Sequence, residues 1–543
     1  MHIEELQIPA PHSLMEDYLF QFEKVSPFYT YSPYRKESWI ERVEWLEGHP
    51  LNHRDELVQG LMEYNQQVNN HKSAFANITR LLDQRSCVVI GGQQSGILTG
   101  PLYSIHKAIT ILQLAEKKEK ELGVPVIPVY WIAGEDHDYD EVNHVYIQSK
   151  DGKVKKIKLE EQPSGRMSIS HFLLAENTLD DFIEEFFAGQ IETEYTMDLK
   201  QTLHGMAAQS QTLTDFFARI MSWLFGEKGL VLVDATLPFI RQLEKETFRE
   251  VIMGNEQLNE AFMKQSREIV EAGYHRQVET EEHNAHFFLY EDGKRTAVLR
   301  KEEGVFSLNG GEKTFTREDL LVLLENEPER FSANVVTRPL MQERLFPTLA
   351  FVGGPGEIAY WGLYRQYFSL FGMELPILMP RMTFSIVEGT VQKYMEKYQI
   401  SLTDLFGQLG EKRDEILRSL QTFHFEEVFD QFRGRLRQQY QEIIQEAGHM
   451  ETGLIKIGEK NLDKILEQVN YFEKKTGEAF LKKNEVLLRQ FERIQLSLFP
   501  MDKPQERVYN IFGYLNKYGL SWFKEFVGDS YHIDSQHIVC FAK

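Results

Sequence analysis

The sequence predicts an α/β fold with a parallel core, further modules set between the core segments, and a long helical arm. Three observations predict it. Residues 88–107, VVIGGQQSGILTGPLYSIHK, run from an apolar strand through a glycine-rich loop toward a helix, AITILQLAEKK. Residues 127–144, IPVYWIAGEDHDYDEVNH, are a second apolar strand ending in a polar cluster. Strand, loop, helix and strand make a βαβ unit, and ligands of such sheets bind outside the strands' carboxyl ends. Third, Leu462, Ile465, Val469, Phe472 and Thr476 recur at alternating three and four spacing, continued by Leu487, Phe491, Ile494 and Leu498. That is the seam of a coiled coil.

Taken in order, residues 1–86 read as helical. SLMEDYLFQFEKV and RDELVQGLMEYNQQVNNHKSAFANITRLLDQ carry apolar positions at helical spacing. The aromatic stretch SPFYTYSPY between them reads as a packed loop. After the βαβ unit, KDGKVKKIKLEEQPSGRMSI is a small hairpin turning at Asp151-Gly152. Residues 172–227 are mostly helical, and GLVLVDAT is another buried strand ending in Asp234, followed by a helix. Residues 284–317 alternate apolar and polar, with turns at Asp292-Gly293 and Asn309-Gly310, as an antiparallel meander does. LAFVGGPGEIAYWGLYRQYFSLFG returns to strand, glycine loop and helix, and ELPILMPRMTFSIVE reads as a strand with a polar loop. Proline is absent from residues 381–499, where the helical arm lies. FEEVFDQFRGRLRQQYQEII offers an antiparallel partner for the seam across Gly448. A dimerisation arm and an internal hairpin suit the pattern equally. The C-terminal residues return to the core as a helix and a last strand. The expected divisions are 1–149, 150–331 (with a core strand near 229–236), 332–386, 387–500 and 501–543.

Composition narrows the function. The chain has 543 residues, 42% of them hydrophobic and 26% charged, with a net charge of -22. Such a chain is globular and has several domains. Its acidity argues against a nucleic-acid binder, which needs a basic face. The N-terminus has no basic start or apolar h-region. No stretch approaches the roughly 20 apolar residues of a membrane span. A soluble, cytoplasmic protein is expected. The two cysteines, Cys87 and Cys540, lie at opposite ends in apolar runs and read as buried thiols in a reducing compartment.

Four clusters can carry chemistry. The loop Gly91, Gly92, Gln93, Gln94, Ser95, Gly96 matches neither a dinucleotide fingerprint nor a Walker A loop. Its glycines still allow close approach of backbone to a ligand, and Thr99, Tyr103, His106 and Lys107 lie in or just past it. The second cluster runs Glu135, Asp136, His137, Asp138, Tyr139, Asp140, Glu141, Asn143 and His144. A histidine flanked by carboxylates suits a general base, and Asp136 and Asp138 are expected to raise its pKa. The same run also suits a solvated acidic loop. His137 and His144 are seven apart with no HExxH spacing, so no preformed metal site is expected. Mg2+ held by Asp136 or Asp138 together with phosphates is chemically reasonable. The third cluster is Gly353 to Glu357 with Tyr360 and Trp361. The fourth, Arg381, Thr383 and Ser385, places an arginine with two hydroxyls after a strand, a set suited to phosphate or to a structural ion pair.

At GGQQSGILTGPLYSIHK, VYWIAGEDHDYDEVNH, FVGGPGEIAYW and LPILMPRMTFS the chain resembles the BshC family, over essentially its whole length. The resemblance implies a Rossmann-like core related to nucleotidyl transferases, inserted connecting modules and a coiled coil that mediates a homodimer. It also implies a cysteine ligase of bacillithiol biosynthesis, which joins cysteine to glucosaminyl-malate and binds ATP or ADP. The first loop holds Gln93, Gln94 and Ser95 where nucleotidyl transferases carry a His-x-x-His type signature. Adenylate and acyl-phosphate activation both stay open.

The expected reading is therefore an ATP-using amide ligase with small-molecule substrates. Its rivals are a metal-assisted hydrolase or deacetylase of a glucosaminide, and a non-catalytic dimeric scaffold. The catalytic candidates are His137, Asp138, Gln93, Ser95 and Asn143, sharing one cleft with Gly96. Gly92, Gln94, Gly96, Thr99, Gly354 and Tyr360 are the expected substrate contacts. Arg381, Thr383, Phe384 and Ser385 are the expected nucleotide contacts, with Asn510 and Tyr514 covering them.

Overall fold

Five strands build the central sheet: β1 (Cys87–Gln93), β2 (Val126–Ile132), β3 (Val231–Asp234), β4 (Thr348–Gly353) and β5 (Ile377–Pro380). Their order is β5-β4-β1-β2-β3, and every neighbouring pair is parallel. Nearly every strand residue is buried, as parallel strands covered on both faces require. The chain steps outward from β1 to β2 to β3, then crosses back to lay β4 on the other side of β1. The order thus reverses between β1 and β4. A crevice opens at such a switch point, beyond the strands' carboxyl ends.

The computed structural model describes residues 2–278, 283–302, 304–405, 407–421, 424–534 and 537–542. Residues 1–386 with 503–540 form one unit, and residues 387–502 with 541–543 form a second. The fold is α/β, as the sequence implies.

Within the first unit, the helix α1 (Tyr103–Leu122) connects β1 to β2. It begins five residues before AITILQ, so His106 and Lys107 lie in its first turns, buried, rather than in the loop. A small antiparallel hairpin joins His144–Gln148 to Val154–Lys158, with Gly152 at φ +70° in the turn. The meander is confirmed, with Asp292 and Gly293 both at positive φ. Phe331–Ala333 adds a fifth strand to it. Cys87 and Cys540 are buried free thiols.

Three local expectations fail. His2–Leu6 is a strand, not helix. The long helical run after residue 53 is two helices, Arg54–Gln67 and Lys72–Arg80. Asn69 takes φ +56° between them, and the His71 ring accepts the Ser73 N–H to start the second. MPRMTFS is not a polar loop throughout, because Phe384–Glu388 is a strand.

In the second unit, Phe425–Met450 and Gly453–Lys483 form a helical hairpin that buries Ile444, Leu462 and Leu466 between them. A Cβ on Gly448 would lie 2.6 Å from Ile455, and one on Gly458 2.6 Å from Ile444, so both glycines permit the close approach. The predicted seam is split. Leu462 is buried in the hairpin, whereas Phe472 is 64% exposed. Leu487, Phe491, Ile494 and Leu498 are buried on a separate helix, Glu485–Leu498. Among the described residues no helix is long and apolar enough to cross a membrane.

Candidate functional site

The switch-point crevice is a cleft of ≈ 460 Å³. Its floor is the end of β1, Gly92 and Gln93, and the turn after β4, Gly354 to Glu357. Glycine is required at Gly91, whose Cβ would lie 2.8 Å from the carbonyl oxygen of Val352 on β4. The missing side chain lets β1 and β4 lie close at the cleft. Gly354 N–H donates to Glu357 Oε2 at 2.8 Å and opens the helix Pro355–Trp361.

Four cations line the cleft: Lys107, Arg338, Arg381 and Arg507. Two are already matched. Lys107 donates to Gly92 O, to Gln93 Oε1 at 3.2 Å and to Glu357 Oε2 at 2.6 Å, which uses all three of its protons. Burial lowers its pKa, and Glu357 opposes the shift. Arg381 grips Glu506 with two hydrogen bonds of 2.8 Å. The same carboxylate meets His106 Nδ1 at 2.8 Å. Burial alone would raise the Glu506 pKa, but Arg381 and His106 outweigh it and hold the carboxyl well below its ordinary range. The other two cations are unmatched. Arg338 donates to the Tyr360 hydroxyl at 2.7 Å and makes no direct ion pair among the described residues, with Glu357 and Glu135 acting on it only at longer range. Arg507 is exposed and also has none.

Of the sequence-predicted residues, Gln93, Gly92, Gln94, Gly354, Tyr360 and Arg381 line this cleft. Ser95, Gly96, Thr99 and Asn143 do not. They are buried, and Ser95 Oγ is spent on Thr214 Oγ1 at 2.9 Å. The two loops do meet, since Gln94 Nε2 donates to Asp136 Oδ2 at 2.6 Å. Asp136 Oδ1 accepts the N–H groups of His137 and Asp138. That carboxylate thus organises the turn and ties it to the first loop. Among the described residues no group of three His, Cys, Asp or Glu side chains could hold a metal ion.

His137 and Asp138 lie outside the cleft lining. Arg295 Nη1 donates to His137 Nδ1 at 3.0 Å. The expected rise in the His137 pKa is reversed. Burial lowers it first, Arg295 lowers it further, and Asp136 and Asp138 only oppose. The turn is anchored from below by buried groups: Glu135 pairs with Arg241 and accepts from Ser332 at 2.9 Å.

The predicted nucleotide residues do not form a side-chain cradle. Ser385 Oγ and Thr383 Oγ1 bind the two ring nitrogens of His537, at 2.9 Å and 2.7 Å. Phe384 is buried against His106, Phe526 and Tyr531. Asn510 caps the helix Ile511–Gly528 and donates to the Leu98 and Gly100 carbonyls. Those bonds brace three successive positive-φ residues, Leu98, Thr99 and Gly100. Tyr514 is buried and stacks on Trp522. Five of the six side chains, all but Arg381, are thus engaged by His537, by packing or by capping. Arg338 and Arg507 were missed because neither NVVTRPL nor QERVYN carries a motif; only the fold brings them to β1 and β4.

Family models match the chain in two parts. "Bacillithiol biosynthesis BshC, N-terminal Rossmann-like domain" covers residues 1–382. "Bacillithiol biosynthesis BshC, C-terminal coiled-coil domain" covers residues 384–542. Similar chains carry the name "Putative cysteine ligase BshC". One from Bacillus cytotoxicus is 37% identical over 99% of both chains. One from a Geobacillus species is 35% identical over 100% of both. One from Bacillus licheniformis is 36% identical over 99% of each. A crystal structure titled as a putative arginyl tRNA synthetase from Campylobacter jejuni covers 78% of this chain and 93% of that one. Its identity is 10% and its TM-score 0.21, too low to carry an inference. Two family models that together span the chain, and relatives matched from end to end, show that the chain belongs to the BshC family.

Proposed function

We propose that this chain is an amide ligase that uses ATP to join the cysteine carboxylate to the amine of glucosaminyl-malate, forming bacillithiol. The carrying observation is the pair of unmatched guanidinium groups, Arg338 and Arg507, in the switch-point cleft. The malate part of that substrate brings two carboxylates. Two arginines suit them through charge-assisted hydrogen bonds. The names of the relatives support the cysteine ligase part of this reading.

The residues of the cleft divide the work. Lys107 and Glu357 hold the end of β1 against the turn after β4. At Gly354 an added Cβ would meet only Glu357 Oε2, at 3.6 Å, so the backbone there is open to a ligand. Arg381 is held by Glu506 and keeps the C-terminal segment in place beside the cleft. Amide formation from a free carboxylate is uphill in water, and ATP would supply the activation.

The arm is proposed to pair two copies of the chain. Val428, Phe432, Ile457, Tyr471 and Phe472 are exposed on the hairpin. Apolar residues at coiled-coil spacing favour a further helical partner.

The test is direct. Purified protein is incubated with cysteine, glucosaminyl-malate, ATP and Mg2+, and product is detected by mass together with AMP and ADP. ATP-dependent bacillithiol, lost in Arg338→Ala, supports the reading. Absence of product with wild type, or product formation unaffected by loss of both arginines, would overturn it.

A further inference from the structure

We infer that Glu141 is the group of the cleft that binds the substrate's ammonium. The inference rests on the reading of the cleft as a ligase site and deepens it.

Glu141 lies on the short helix Tyr139–Val142 that follows β2. Within the acidic run 135–141 it alone lines the cleft. Its neighbours are engaged or elsewhere: Asp140 accepts from Lys158 and Asn143, and Asp136 is held by Gln94. The cleft's other carboxylate, Glu357, is taken by Lys107 and Gly354. Glu141 is exposed and has no hydrogen-bond or ion-pair partner among the described residues. Its charge is felt inside the cleft. The Tyr103 hydroxyl, another lining group, has its pKa raised first by burial and then by Glu141.

The unmatched charges then give a recognition pattern. Arg338 and Arg507 are positive and Glu141 is negative. A ligand with carboxylates alone would set one anion against another. A neutral ligand would leave all three charges unanswered. An amino sugar bearing a dicarboxylate has two negative charges and one positive, the complement of the three protein groups. An ammonium against Glu141 also places the amine beside a carboxylate that can accept its proton.

The experiment is calorimetry at pH 7 with glucosaminyl-malate, its N-acetyl derivative and malate, on wild type, Glu141→Gln and Glu141→Asp. Wild type is expected to bind the amine roughly five- to tenfold more tightly than the N-acetyl form, as a partly exposed charge-assisted contact allows. Glu141→Gln should lose that preference while keeping its affinity for malate and its melting temperature. Glu141→Asp should restore part of it. Equal binding of amine and N-acetyl forms by wild type, or an undiminished preference in Glu141→Gln, overturns the role of Glu141 and leaves the substrate reading standing. If wild type binds neither sugar, the substrate reading falls and the ammonium assignment falls with it.

Discussion

Arg295 donates to Nδ1 of His137 across 3.0 Å. A guanidinium has no acceptor, so this nitrogen must be the acceptor and the neutral ring carries its proton on Nε2. The lone pair that a general base would use is thereby occupied. His137 is a donor through Nε2, and burial with Arg295 holds its pKa below the ordinary value. The ring should titrate below 6.5 by NMR. Glutamine can imitate an Nε2 donor, so His137→Gln should lose less activity than His137→Ala. A general base would instead lose about 10²–10⁴-fold in either variant. Equal losses of that size in both would restore the base.

The cleft arginines should separate by role. Arg338→Ala and Arg507→Ala remove unmatched charges, so they should raise KM for the anionic substrate with little change in melting temperature. Arg381→Ala leaves Glu506 buried without its main counterion. Breaking a buried pair costs roughly 3–5 kcal/mol, so the melting temperature should fall clearly. Thermal melts and steady-state kinetics on the three variants check both halves.

Gly91→Ala should be destabilising without touching any ligand directly. Its Cβ would lie 2.8 Å from Val352 O and 3.0 Å from Ile111 Cδ1. The first of these is backbone and cannot rotate away, so β1 and β4 must part. Overpacking of this kind costs roughly 1–3 kcal/mol. Denaturant unfolding would show it, and an unchanged midpoint would mean the sheet relaxes freely.

Acid should weaken the fold through His286. The ring is fully buried, with neither ring nitrogen partnered among the described residues, and burial pushes its pKa down to about 4. A histidine whose folded pKa lies below its unfolded value of about 6.5 adds stability above that value. The contribution is lost as pH falls from 6.5 toward 4. Its size is on the order of 3 kcal/mol. Melting temperature against pH should therefore decline over this window. His286→Asn, which tolerates the φ of +64° at this position, should flatten the decline. An equal slope in the variant would assign the acid effect elsewhere.

The arm should be tested on its exposed face. Leu462 lies inside the hairpin, so an acidic residue there would disrupt the hairpin and say nothing about pairing. Ile457→Glu with Phe472→Glu changes only exposed positions. Wild type is expected to sediment as a dimer and the double variant as a monomer with unchanged helix content. A monomeric wild type at micromolar concentration would sink the proposal.

Much of the architecture was legible in the sequence because its signals are local. Short, β-branched apolar runs such as CVVI and VIPVYWI, bounded by turn residues, read as strands buried on both faces, and glycines 91 and 92 mark the close approach at their end. The meander's turns and the helical arm follow from Asp292-Gly293, Asn309-Gly310 and heptad spacing. The order of the long motifs also disclosed the family. Tertiary structure decided which of the polar residues share a space. Ser95, Asn143 and Asn510 look like site residues in the string but are spent on Thr214, on burial and on the Leu98 and Gly100 carbonyls. Arg338 and Arg507 both stand far from β1 in sequence, with no motif to mark them. The physical reason is that strand and helix signals are written in neighbouring residues, whereas charge compensation depends on distance in space. Only after the sheet reverses between β1 and β4 is it settled that Glu506 neutralises Arg381 and that Arg338, Arg507 and Glu141 face one cleft.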